Sequence, residues 1–321
     1  MIALNLSRSR RTVWWISLLL VGFSLAGIAL CWTNPTIKAP LRPGLDFTGG
    51  TQIQLERQCD GQCQPLQVDA VQAALKAAPL PAEIGEPTPN LDIARVQLLD
   101  GAQSLVLRLP TLSAPQSQAV IEAITPVAGP FLPQGQSVDT IGPSLGSQLL
   151  TSSLISLLVA FAAIAIYISV RYDGRYAVLA LLALAHDVII VCGIFAWLGL
   201  EVGLEVNSLF AVALLTIAGY SVNDTVVVFD RIRERQRENG DLPITDQVDR
   251  AVSATLTRTL YTSGTTLLPL LALILFGGST LYWFAIALAL GVVVGSWSSI
   301  ALAPSLLTLW SGGRSRSVAG A

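Results

Sequence analysis

Long apolar runs, broken only by short polar stretches, fill most of this chain, and one extended polar block interrupts them near the start. Apolar runs fall at 12–33, 148–170, 176–198 and 207–229. From Arg258 to Arg314 no charge intervenes; this stretch is too long for one crossing, and Gly277-Gly278-Ser279 divides it into 254–276 and 281–310. At about 1.5 Å of rise per residue, some 20 residues span the ~30 Å hydrocarbon core of a bilayer. The pattern therefore predicts six transmembrane helices.

The polar block, 34–147, changes period. Residues 45–57 alternate as a strand, 68–78 carry an amphipathic helix, and 92–99 and 104–109 read as two strands about an Asp100-Gly101 turn. Residues 115–124 predict a second helix and 137–141 a last strand. The order β-α-β-β-α-β predicts a ferredoxin-like α+β domain between the first and second membrane helices. Gly49-Gly50 within it is not a phosphate loop, because no Gly-x-Gly-x-x-Gly and no following helix accompany it. A bulge or a close-packed strand is expected there.

Composition agrees with a membrane location. The chain is 52% hydrophobic and 12% charged, which excludes an ordinary soluble enzyme. Its net charge of -2 says little, since the charges are segregated along the chain. Arg8, Arg10 and Arg11, then Arg171 and Arg175, then Arg231, Arg233, Arg235 and Arg237, then Arg314 and Arg316 fall on one side, whereas the loop with Glu201 and Glu205 has no Lys or Arg. By the positive-inside rule both termini (1–11 and 311–321) and the loop 230–253 are cytoplasmic, and the α+β domain is extracytoplasmic. The first run lacks an Ala-x-Ala cleavage site and reads as a retained anchor. Over 231–250 the arginines are interleaved with Glu234, Glu238, Asp241, Asp246 and Asp249, which predicts a solvated helical hairpin rather than a nucleic-acid surface. Cys59 and Cys63 could form a small disulfide loop or stay as two thiols; a single His and no second cysteine pair argue against zinc.

Ionisable groups inside membrane helices are expensive and so point to function. Four stand out: His186 and Asp187 in the third span, Asp224 in the fourth and Arg258 at the start of the fifth. Asp224, six residues before Asp230, lies about 9 Å above the cytoplasmic end of its helix, near the level of Arg258. The two are expected to form a charge-assisted pair able to switch with protonation. His186, Asp187, Asn223 and Thr262 supply supporting polarity, and Gly291 and Gly295 with the following serines form a close-packing face.

Several stretches resemble the SecF side of the SecDF family of protein-secretion accessory subunits. They are Gly44-Leu45-Asp46-Phe47-Thr48-Gly49-Gly50-Thr51, Ala185-His186-Asp187-Val188, Gly219 through Glu234, and Arg258-Thr259-Leu260 with Thr262-Ser263-Gly264-Thr265-Thr266. The resemblance implies a non-enzymatic half-transporter of the resistance-nodulation-division superfamily in the bacterial inner membrane. Protons would be its coupling ion, and no other cofactor is implied. Its partners would be SecD, the SecYEG channel with SecA, further YajC and YidC, and unfolded polypeptide in transit, with no nucleic acid. It carries the family's functional membrane Asp and Arg onto Asp224 and Arg258, and its external motif onto Gly44, Asp46, Phe47, Gly49 and Gly50. Gln54 departs from the Glu of many relatives. A passive scaffold for the translocation channel and a small-molecule efflux protein are the competing readings.

Overall fold

The computed structural model describes residues 6–59, 63, 65–82, 88–99, 102–238 and 241–311. It divides into two compact units, 43–152 and the remainder, 1–42 with 153–321. The chain opens with helix α1 (Leu6–Thr33).

The smaller unit begins with a single helical turn, α2 (Leu45–Thr48), and continues through β1 (Gly50–Arg57), α3 (Val68–Lys76), β2 (Arg95–Leu99), β3 (Ser104–Leu109), α4 (Ala114–Ala128) and β4 (Phe131–Ile141). The strands pair antiparallel throughout in the order β2-β3-β1-β4, which is the split β-α-β arrangement expected of a ferredoxin-like domain. Period-two alternation sets the faces: Ile53 and Leu55 of β1 stand opposite Leu107 and Leu105 of β3, and all four are fully buried. Val71 and Leu75 of α3 and Val120 and Ile124 of α4 close over that face. Ser113 and Gln116 form a reciprocal cap that starts α4.

Two expectations fail here. Residues 45–48 are helical rather than extended, because Gly49 (φ +69°) and Gly50 (φ +121°) turn the chain sharply before the strand begins. A four-residue alternation fits one helical turn as well as it fits a strand. The last strand is also longer than 137–141, running from Phe131 through Pro133 and Gly135. It lies at the sheet edge, where a proline costs no ladder bond. The Asp100-Gly101 turn lies outside the described residues.

The larger unit takes up α5 (Pro143–Arg171) from residue 153 onward, α6 (Gly174–Glu201), α7 (Ser208–Glu238), α8 (Ile244–Phe276) and α9 (Gly278–Trp297). A π turn (Ser298–Leu302) joins α9 to α10 (Ala303–Ser311), so the last crossing is one broken helix. Among the described residues six helices are long and apolar enough to cross a membrane. α6 and α7 are the most buried and form the centre.

Small residues set the two closest helix contacts. On α6 a side chain at Gly193 would overlap Ser24 of α1, and one at Gly27 would lie 2.6 Å from Trp197, whose indole donates to the Phe23 carbonyl (2.9 Å). On α9 a Cβ at Gly291 would strike Ile217 of α7, and one at Gly295 would lie 3.2 Å from Ser221. The Gly-x-x-x-Gly face thus brings the α7 and α9 backbones together. Beyond the apolar segments α7 and α8 continue as a hairpin with internal ion pairs, Arg231 to Glu234 and Arg235 to Glu238. Arg171, at the end of α5, meets Asp230 at 3.1 Å.

Candidate functional site

The close approach of α7 to α9 turns a stripe of hydroxyls toward α6. Ser221 and Thr225 are one turn apart on α7, and Ser298 and Ser299 sit in the π turn that follows the glycine face. At the centre is Asp187 of α6, with no exposed surface. Its Oδ2 accepts from the Ser221 hydroxyl (2.6 Å) and the Ser298 hydroxyl (2.7 Å), while its Oδ1 lies 2.8 Å from Nδ1 of His186. Ser299 pairs with Thr225 (2.8 Å) and also reaches the Ser221 carbonyl (3.3 Å). Beside this, Tyr220 donates to Ser263 of α8 (3.1 Å), which pairs with Ser296 of α9 (2.6 Å). The resulting polar layer ties α6, α7, α8 and the last crossing together inside an otherwise apolar bundle.

Asp224 stands one turn along α7 from Ser221. It is 4% exposed, and its Oδ2 has no hydrogen-bond partner among the described residues. Arg258 supplies the positive charge that acts on it, but the expected ion pair is not formed. Arg258 is exposed on α8, which starts at Ile244, so that Arg258 lies within the helix rather than near its first turn. Equal depth fixes a residue's height and not its direction around the helix. Asn223 is likewise exposed, and Thr262 spends its hydroxyl on the Thr259 carbonyl of its own helix (2.9 Å).

In the smaller unit the Gly-Gly motif is a packing seam. Gly44 accepts the amides of Phe47 and Thr48, closing the turn that holds Asp46. A Cβ at Gly49 would lie 2.9 Å from the Pro143 backbone, and one at Gly50 would lie 2.7 Å from the Leu109 carbonyl. Cys59 and Cys63 are joined by a disulfide, with their Cα atoms 5.2 Å apart. No group of three or more His, Cys, Asp or Glu among the described residues is placed to hold a metal ion.

The sequence marks Asp187 and His186, and Ser298 and Ser299 only as small residues of the close-packing face, without linking any hydroxyl to Asp187. Ser221, Ser298, Ser299 and Thr225 come from segments far apart in the chain. The one signal was the glycine face, which forecast the helix approach that brings these hydroxyls together.

Fold and site together define a multi-pass membrane protein whose polar chemistry lies inside its helix bundle. Two family models match: the C-terminal region of the protein export membrane proteins SecD/SecF over 124–313, and the SecD/SecF GG motif over 37–60. The protein translocase subunit SecF of Prochlorococcus marinus is 62% identical over 305 residues, covering 95% of this chain and 94% of that protein. The corresponding subunit of Synechocystis is 41% identical over 307 residues, covering 96% and 94%. The crystal structure of SecDF from Thermus thermophilus, described as a translocon-associated membrane protein, superposes with a TM-score of 0.77 at 31% identity. That match covers 96% of this chain and 39% of the SecDF chain. The chain belongs to the SecD/SecF family of protein-export membrane proteins and corresponds to its SecF part, an accessory subunit of the protein translocase.

Proposed function

We propose that this chain uses the proton gradient to assist polypeptide export, with Asp224 as the proton-binding group and Arg258 as the charge that senses it. One observation carries the reading: a buried carboxylate in a membrane-length helix has an oxygen without a partner. A group fastened only for stability would be expected to have its lone pairs satisfied. Protonation removes the attraction between Asp224 and Arg258, and α7 and α8 then shift relative to each other. A charge crossing the full potential releases about 2.3 kcal/mol per 100 mV, enough to bias a two-state bundle by small repeated steps.

SecD is the partner this reading requires. Thr216, Gly219 and Asn223 on α7 and Arg258, Tyr261 and Thr265 on α8 are exposed, and side chains added at Gly219 or Gly264 would meet nothing. Polar groups facing hydrocarbon are costly, so this face suits a second bundle with matching polarity. The Thermus SecDF chain, of which this match covers 39%, has room for such a bundle in its remaining length. The arginine-rich ends are taken as cytoplasmic and the α+β domain as external, with SecYEG, SecA, YajC and YidC as the surrounding machinery.

The test is export into vesicles carrying the chain with SecD and the channel. Asp224→Asn and Arg258→Ala are each expected to abolish the gradient-dependent part of export while SecD association persists. Full gradient-dependent export by Asp224→Asn would leave only the scaffold reading.

A further inference from the structure

We propose that His186 is a second proton-binding residue of this bundle, with Asp187 as the positioning group that sets its tautomer; this rests on the proton-coupling reading above. His186 Nδ1 lies 2.8 Å from Asp187 Oδ1, and both side chains are more than nine-tenths buried. The other oxygen of Asp187 already accepts two hydroxyl protons, from Ser221 and Ser298. With Asp187 acting as acceptor at both oxygens, the imidazole is the donor at Oδ1, so Nδ1 carries the proton of the neutral ring.

That assignment leaves Nε2 as a lone pair. Nε2 is buried and has no hydrogen-bond partner among the described residues. The ring is therefore held with its basic nitrogen free, next to a carboxylate able to stabilise the imidazolium. One proton taken up at Nε2 makes the ring cationic and Asp187 its counter-ion, with no bond broken in the Ser221-Asp187-Ser298 network.

The groups facing His186 narrow the electrostatics. Its own helix supplies Asp187, and α7 supplies Asp224 and Tyr220, on either side of the Ser221 that touches Asp187. α1 runs parallel to α6, with Gly27 on Trp197 and Ser24 on Gly193, which sets Ser17 and its uncharged neighbours at this level. The charges of α1, Arg8, Arg10 and Arg11, lie about 9 Å or more along the helix from Ser17, and α9, the π turn and α10 bring none. Among the described residues Asp224, one turn along α7 from the Ser221 that touches Asp187, is the carboxylate these elements add to the pair, and a proton has two stations there.

The chain contains a single histidine, so its resonance is unambiguous. The experiment is solid-state NMR of 15N-histidine-labelled chain in complex with SecD in lipid, with gradient-dependent export measured on the same preparations. At neutral pH we expect the proton on Nδ1 and a bare Nε2, a second proton on Nε2 after acidification, and loss of the Nδ1–H preference in Asp187→Asn. Should Asp187→Asn fail to assemble, Ser298→Ala, which removes one competing donor, should keep the tautomer. His186→Gln should lower gradient-dependent export and change its dependence on pH. An Nε2–H tautomer at neutral pH, or wild-type export and pH profile in His186→Gln, overturns the proposal. If Asp224→Asn also exports normally, the coupling reading itself has failed; if only His186→Gln does, this inference alone has.

Discussion

Asp187 and Asp224 are carboxylates in adjacent helices that play opposite parts. Asp187 has both oxygens engaged, whereas Asp224 has an oxygen left over. Truncating the engaged one should therefore harm the fold most. Asp187→Leu leaves the Ser221 hydroxyl and the His186 imidazole without their acceptor, at about 1–3 kcal/mol for each buried group left unsatisfied, while Ser298 falls back on the Gly295 carbonyl. Ser298→Ala removes one donor and should lose only about 1 kcal/mol. Thermal unfolding of the complex with SecD should order them wild type, Ser298→Ala, Asp187→Leu. Equal losses would mean that the network is not centred on the carboxylate. The sequence made both carboxylates visible, because a charge in an apolar run stands out whatever its partners. It could not distinguish their roles, since serine is commonplace and a partner two helices away leaves no local pattern. A direct Asp224–Arg258 contact is absent for a related reason: helix depth can be counted in residues, but azimuth depends on neighbours.

Elements were legible in proportion to their hydrophobic contrast. The six crossings could be read because each exceeds the bilayer core in apolar length. β1 and β3 could be read from strict alternation, while β4 was cut short at its Pro133 and Gly135. Gly135 is needed where it stands, because a side chain there would collide with Glu56 of β1. The α7–α9 contact gives a test at this scale. Gly291→Val forces a branched side chain into Ile217 and should lose about 1–3 kcal/mol, as overpacked cores do. Gly219→Leu, on the open side of α7, should leave the chain's own unfolding unchanged yet weaken capture of SecD. Normal capture by Gly219→Leu would remove that face as the partner surface.

For the molecule as a whole, the disulfide reports on sidedness. A bridge closing so short a loop stabilises by about 2 kcal/mol in the chain-entropy account, and it persists only where the surroundings are oxidising. Alkylation without reductant should show the Cys59–Cys63 peptide lighter by two hydrogens in membranes, and Cys31 and Cys192 as free thiols. Free thiols at 59 and 63 would argue against an external α+β domain.

The π turn in the last crossing acts as a slip joint. A π turn is a helix carrying one residue more than its pitch requires, so the segments on its two sides are out of phase. α9 is indexed to α7 through Gly291 and Gly295, and α10 is indexed to α1 through Ser305, which accepts from Trp14 (2.9 Å). Because the surplus residue can be taken up on either side, α9 can twist with α7 without dragging α10 off α1. Deleting Ile300 would weld the two halves into one rigid rod and turn everything beyond it by about 100°. We expect that chain to insert and bind SecD but to lose the Trp14–Ser305 contact, visible as a shift in indole emission. Its gradient-dependent export should stall, because the twist would then have to be carried through the whole crossing.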